Sequence, residues 1–172
     1  DLNLSTLKTV SAWIKPSALP GSGDFDGICG QGDGTSYSWL LVTYNTGSST
    51  VLAIEFFDSG WTQWYCLHTT GLATGNWYFV VAEFNDSGNT LRLWVNGSLV
   101  TASSITGTPA DGSSPFRIGS ASAGSTVRGF PGVIDEVRVQ AAATSQSRVT
   151  SEYNNQNSPS TFYSVEEVAG SA

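Results

Sequence analysis

Apolar and polar side chains alternate along most of this chain, and the alternation is densest in residues 76–100. There Tyr78, Val80, Ala82 and Phe84 fall on one face and Trp77, Phe79, Val81 and Glu83 on the other, the two-residue period of a β-strand. Residues 85–89, Asn-Asp-Ser-Gly-Asn, break the pattern. It resumes with Leu91, Leu93 and Val95 opposite Arg92 and Trp94, and then meets Asn96-Gly97, a pair that tolerates the positive φ of a tight hairpin turn. Residues 98–101 are therefore predicted to fold back on 91–95.

Further strands are predicted over residues 7–15, 27–31, 37–44, 50–57, 61–69, 116–120 and 133–140, separated by clusters of Gly, Pro, Asn, Asp and Ser. In 133–140 the alternation has one exception, Ile134, which shares a face with Glu136 and Arg138. The single helical piece is expected near residues 145–153. About ten short strands with little helix predict an all-β fold, a two-sheet antiparallel β-sandwich. No fixed internal period is visible, which argues against propellers and solenoids.

Composition narrows the picture. A chain of 172 residues fits one domain, expected to span 1–165 with 166–172 as a flexible tail. The formal net charge of −7, with no cluster of Lys or Arg, disfavours nucleic acid and anionic membrane as partners. No run of about 18 apolar residues is present to span a bilayer. Residues 1–8 lack the basic and apolar regions of a signal peptide, so an export signal is expected to have been removed or to lie outside this sequence. A disulfide between the two cysteines, Cys29 and Cys66, would suit an exported domain, but spacing alone does not show that they meet.

Several segments, taken in order, resemble the laminin G-like, concanavalin A-like jelly-roll family: VSAWIKP at 10–16, GNWY at 75–78 leading into 89–100, FRIGS at 116–120, GFPGVIDEVRV at 129–139, and EYNNQNSP at 152–159. Together they cover nearly the whole chain. Two places depart from the family pattern: Trp77-Tyr78-Phe79 stands where Trp-His-His is usual, and 141–145 is Ala-Ala-Ala-Thr-Ser rather than an Arg-Ala-Leu-Ser run. The resemblance implies a jelly roll of the kind found in secreted or surface-exposed bacterial multidomain proteins.

Such a frame can carry three kinds of chemistry. A sandwich glucanase needs two carboxylates about 5–5.5 Å apart on one face. Asp135 and Glu136 are adjacent and should point to opposite faces, Glu55 and Asp58 are three apart, and His68 is the single histidine, so no acid/base pair is expected. Calcium prefers several hard oxygen ligands, and Asp24, Asp26 and Asp33 lie in or beside Gly-rich loops, with Asp135 able to join if the ends meet. The resemblance adds that such domains often carry calcium at the sandwich rim. Glycan binding uses aromatic rings stacked on sugars with polar groups beside them. Trp61, Trp64 and Tyr65 in one strand, and Trp94 with Arg92 in another, are the candidates. The reading is a non-catalytic carbohydrate-binding, lectin-like module, monomeric within a longer exported chain and supported by calcium, with a protein-binding adhesion module or a polysaccharide-cleaving enzyme as alternatives.

Overall fold

The computed structural model describes residues 9–32, 37–58, 60, 62–68, 70–85, 89–106, 115–120 and 128–162. The proposed tail at 166–172, Asp33 and Trp61 lie outside the described residues. The strands are β1 (Thr9–Pro16), β2 (Phe25–Gly32), β3 (Tyr37–Asn45), β4 (Thr50–Phe57), β5 (Gln63–Leu67), β6 (Tyr78–Asn85), β7 (Thr90–Val95), β8 (Ser98–Ser104), β9 (Phe116–Ile118) and β10 (Gly132–Gln140). Two helices follow, α1 (Gln146–Asn157) and the short α2 (Pro159–Phe162). None of the described helices is long and apolar enough to cross a membrane.

The strands form two antiparallel five-stranded sheets. The back sheet runs β10-β1-β6-β7-β8 and the front sheet β5-β4-β3-β2-β9. Between them lie the inward positions of the alternating pattern: Val10, Ala12 and Ile14, Val80, Ala82 and Phe84, and Leu91 and Leu93, against Trp39, Leu41, Leu52, Ile54 and Phe56. The expected sandwich is therefore present, and apolar burial between the sheets is its main driving force.

The Ile134 exception has a structural cause. The pairing of β1 with β10 shifts register between Ser11 and Trp13, and Glu136 takes up a left-handed φ of 52°. This bulge inserts one residue and resets the alternation. Ile134, Val137 and Val139 all pack on the core, while Asp135, Glu136 and Arg138 all line an outer cleft. The expectation that Asp135 and Glu136 point to opposite faces is thus corrected.

Both cysteines are free and buried. Cys29 is on β2 and Cys66 on β5, with β3 and β4 between them. Three inter-strand steps of about 4.8 Å exceed the roughly 7 Å Cα limit for a disulfide. Burial pushes the Cys29 thiol up to about 12, which removes it as a nucleophile at neutral pH.

The outer face of the back sheet is closed by the C-terminal segment. Ser145 caps α1, its hydroxyl accepting from the Arg148 amide at 3.2 Å. Val149 packs on Phe79, Val81 and Trp94, with Trp13 and Tyr153 at the margin. Gly97, at φ 83° in the hairpin turn, presents its carbonyl to Gln146 Nε2 at 2.6 Å and Thr150 Oγ1 at 2.9 Å.

Two predictions follow from this packing. A Cβ at Gly97 would lie 3.0 Å from Tyr153 Cδ1 in a backbone conformation that favours glycine. Gly97→Ala should therefore lower unfolding stability in urea by about 2–3 kcal/mol; an unchanged midpoint would contradict the helix seat. The second concerns His68, which is buried, with Nδ1 lacking a hydrogen-bond partner among the described residues and its pKa lowered by desolvation. A depressed histidine contributes stability above its unfolded pKa, near 6.5, that is lost as pH falls below that value. The melting temperature of the wild type should therefore drop more steeply than that of His68→Gln between about pH 6.5 and 5; parallel curves would contradict it.

Candidate functional site

α1 covers the outer face of the back sheet; on the outer face of the front sheet no described helix packs, yet its centre, Leu40, Val42 and Ala53, is buried to 1% exposure or less. Alternation places Leu40, Val42 and Tyr44 of β3, Ala53 and Glu55 of β4, and Gln63, Tyr65 and Leu67 of β5 on this side. Leu40, Val42 and Ala53 make an apolar floor, with Phe25, Tyr44 and Leu67 packed against it. Beside the floor is a cleft of about 370 Å³ lined by Tyr44, Thr46, Glu55, Gln63, Tyr65 and Leu67.

The polar groups in this cleft are ordered by the β4–β5 hairpin. Glu55 pairs with Tyr65 across the strands, and its Oε2 accepts from Gln63 Nε2 at 2.8 Å. Burial pushes the Glu55 carboxyl above its ordinary range, and the Gln63 hydrogen bond works in the opposite direction. Tyr65 is 54% exposed, its ring free to meet a ligand. At the β2 end of the same sheet the Arg128 guanidinium lies 3.9 Å from the Phe25 ring centroid and 2.6 Å from Asp24 Oδ1. The cleft thus offers two phenol rings, a carboxamide and a carboxyl beside the Leu67 side chain, a set suited to binding a hydroxyl-rich ligand with apolar ring faces.

Of the expected aromatic residues, Tyr65 is at this cleft. Trp64 points the other way, stacking on Phe56 with centroids 6.3 Å apart and donating from Nε1 to Asp58 Oδ2 at 3.3 Å. Trp94 and Arg92 were expected on an open face, and here the structure corrects the reading. Trp94 is only 3% exposed beneath α1, and its indole N–H donates to Gln146 Oε1 at 3.0 Å. Arg92 donates to the fully buried Glu83 at 3.0 Å. Missing from the sequence reading were Tyr44, Gln63 and a binding role for Glu55; the signal that pointed to Glu55 was one carboxylate interrupting the apolar run of β4.

The expected metal ligands are dispersed. Asp24 is paired with Arg128, whereas Asp26 is almost fully buried, its pKa raised by burial first and by the Asp24 charge second, with Arg128 opposing. Asp135 belongs to the back sheet and lines a different cleft, of about 620 Å³, with Trp13, Trp77 and residues of α1. Among the described residues no group of three or more His, Cys, Asp or Glu side chains gathers closely enough to hold a metal ion. Asp135 thus stands on the back sheet, away from Asp24 and Asp26 at the start of β2.

The fold has many structural relatives. A pentraxin of the SAP-like type from Limulus polyphemus superposes with a TM-score of 0.66 at 16% identity, covering 86% of this chain and 70% of that one. The CBM40 module of the Ruminococcus gnavus IT-sialidase, bound to α2,3-sialyllactose, gives 0.68 at 14% identity, covering 86% and 83%. Domain 4 of AbnA, an extracellular GH43 arabinanase from Geobacillus stearothermophilus in complex with arabinotriose, gives 0.57 at 19% identity, covering 84% and 65%. No curated protein sequence matches the chain. The Laminin_G_3 family matches residues 1–150, a span that contains all ten described strands, and the chain belongs to that family, the concanavalin A-like lectin/glucanases superfamily.

Proposed function

We propose that this domain is a non-catalytic carbohydrate-binding module and that it binds its glycan on the outer face of the front sheet. The observation that carries the reading is the cleft at the β4–β5 side of the front sheet, where Tyr44 and the exposed Tyr65 stand beside the Glu55–Gln63 pair, whereas α1 closes the outer face of the back sheet. Sugar rings offer C–H faces that stack on phenol rings, while hydroxyls pair with carboxyl and amide groups. The sialyllactose-bound and arabinotriose-bound relatives support this reading. Of the six residues lining the front cleft, Glu55 alone is a carboxylate, whereas glycoside hydrolysis generally uses two. The module acts as a monomeric unit of a longer exported or surface-bound chain.

Calcium is a separate proposal, resting on the acidic composition of residues 24–33 and on the resemblance. Loading the protein with calcium and then adding chelator should lower its melting temperature if an ion supports these loops; an unchanged value would remove the ion from the account.

Glycan-array screening followed by calorimetry tests the main reading. Tyr65→Ala should weaken binding about tenfold, equivalent to about 1.4 kcal/mol, and Trp94→Phe, under the helix, should leave affinity unchanged. Binding of a protein partner without any sugar signal would favour an adhesion module instead. Sugar binding indifferent to both Tyr44→Ala and Tyr65→Ala would contradict the proposed face.

A further inference from the structure

The 620 Å³ cleft on the back of the molecule has a composition that the front-face reading does not use. Three separated segments converge there: Trp77 just before β6, Asp135 and Glu136 on the edge strand β10, and Asn155 near the end of α1. Trp77 is 43% exposed, whereas Trp94 on the same sheet is buried. Its ring is held by the edge of Trp13, with centroids 6.4 Å apart and planes at 83°, and by the Lys15 ammonium 5.9 Å from the ring centroid. Trp13 is itself fixed, stacked on Tyr153 at 5.8 Å and donating from its indole N–H to Gln156. An exposed indole on a rigid support is a stacking surface with little conformational entropy to lose.

The polar side of the cleft is equally defined. Glu136 occupies a left-handed backbone conformation in an ion pair with Arg138, which also binds Glu152. Strain of this kind at a non-glycine residue persists only where the surroundings enforce it, and here it turns two consecutive carboxylates toward one cavity. Asp135 is exposed and accepts from the Glu136 amide at 2.8 Å through Oδ1. Glu136 and Glu152 share the guanidinium of Arg138, and the Lys15 ammonium stands on the Trp77 side, so both signs of charge border the cleft.

We propose that this cleft is a second saccharide site, in which Trp77 stacks on a sugar ring and Asp135 and Asn155 bind its hydroxyls. It lies on the opposite sheet from the Tyr44–Tyr65 cleft and does not depend on it. A domain with both sites would engage two stretches of polysaccharide at once, converting the second contact into an intramolecular one.

The test follows the Trp77 indole N–H by two-dimensional NMR, with the resonance assigned from Trp77→Phe. Lactose, arabinotriose, cellotetraose and xylotetraose serve as the neutral probes. At least one neutral probe should shift the Trp77 signal, with a Kd that rises tenfold or more in Asp135→Asn and is unchanged in Tyr65→Ala. Asp135→Asn replaces an exposed side chain by its isostere, so its effect is readable even if a Trp77 variant misfolds. Failure of all four neutral probes to move the Trp77 signal would overturn the proposal. So would a Kd indifferent to Asp135→Asn. Loss of sugar binding in Tyr65→Ala with the Trp77 shift retained would separate this site from the front-face one.

Discussion

A single buried carboxylate determines which surfaces of this domain are open. Glu83 has no exposed side-chain area, and it is satisfied by Arg92 from the neighbouring strand and by the Thr144 amide at 2.5 Å from the segment that leads into α1. An unpaired charge in that position would cost several kcal/mol. The back sheet therefore requires residues 141–145 in place, and they deliver α1 onto Phe79, Val81 and Trp94. Hydrogen bonds from Gln146 and Thr150 to the hairpin turn, and from Trp94 to Gln146, complete the seat.

This closure gives the sandwich two unequal sides. Both sheets have apolar residues on their outer faces, but only the back one has a helix to bury them. The front face covers its floor with its own longer side chains, Phe25, Tyr44 and Leu67, and leaves Tyr65 projecting beside the Glu55–Gln63 pair. Recognition on a sheet face has the advantage of rigidity, because the side chains stand on hydrogen-bonded strands rather than on loops. The bulge at Glu136 does similar work at the opposite edge, where it redirects two acidic residues outward without disturbing the core contacts of Ile134, Val137 and Val139.

The strand pattern was largely legible because alternation is a local property: Val80, Ala82 and Phe84 lie inside as their period demands, and Asn96-Gly97 makes the predicted hairpin turn with φ values of 50° and 83°. What escaped was non-local. Trp94 and Arg92 sit on the outward face as expected, yet nothing in their own strand shows that a helix from residues 146–157 covers them. The adjacency of Asp135 and Glu136 implied opposite faces, and only the pairing with β1 reveals the bulge that reverses this. The choice between Trp64 and Tyr65 depended on the register of β5 against β4, which puts Trp64 on Phe56 and Tyr65 at the cleft. The cysteines, too, required the strand order before their separation could be known.

Residue-resolved hydrogen exchange on the full 172-residue chain addresses the asymmetry most directly. If the Glu83 clasp holds α1 on the back sheet, the Thr144 amide and the amides in the middle of α1 should exchange slowly, together with the strands β6 and β7 beneath them. Exchange of Thr144 and α1 at free-peptide rates, with β6 and β7 still protected, would mean that the helix lifts away and the Trp94–Arg92 face is open, contradicting the account.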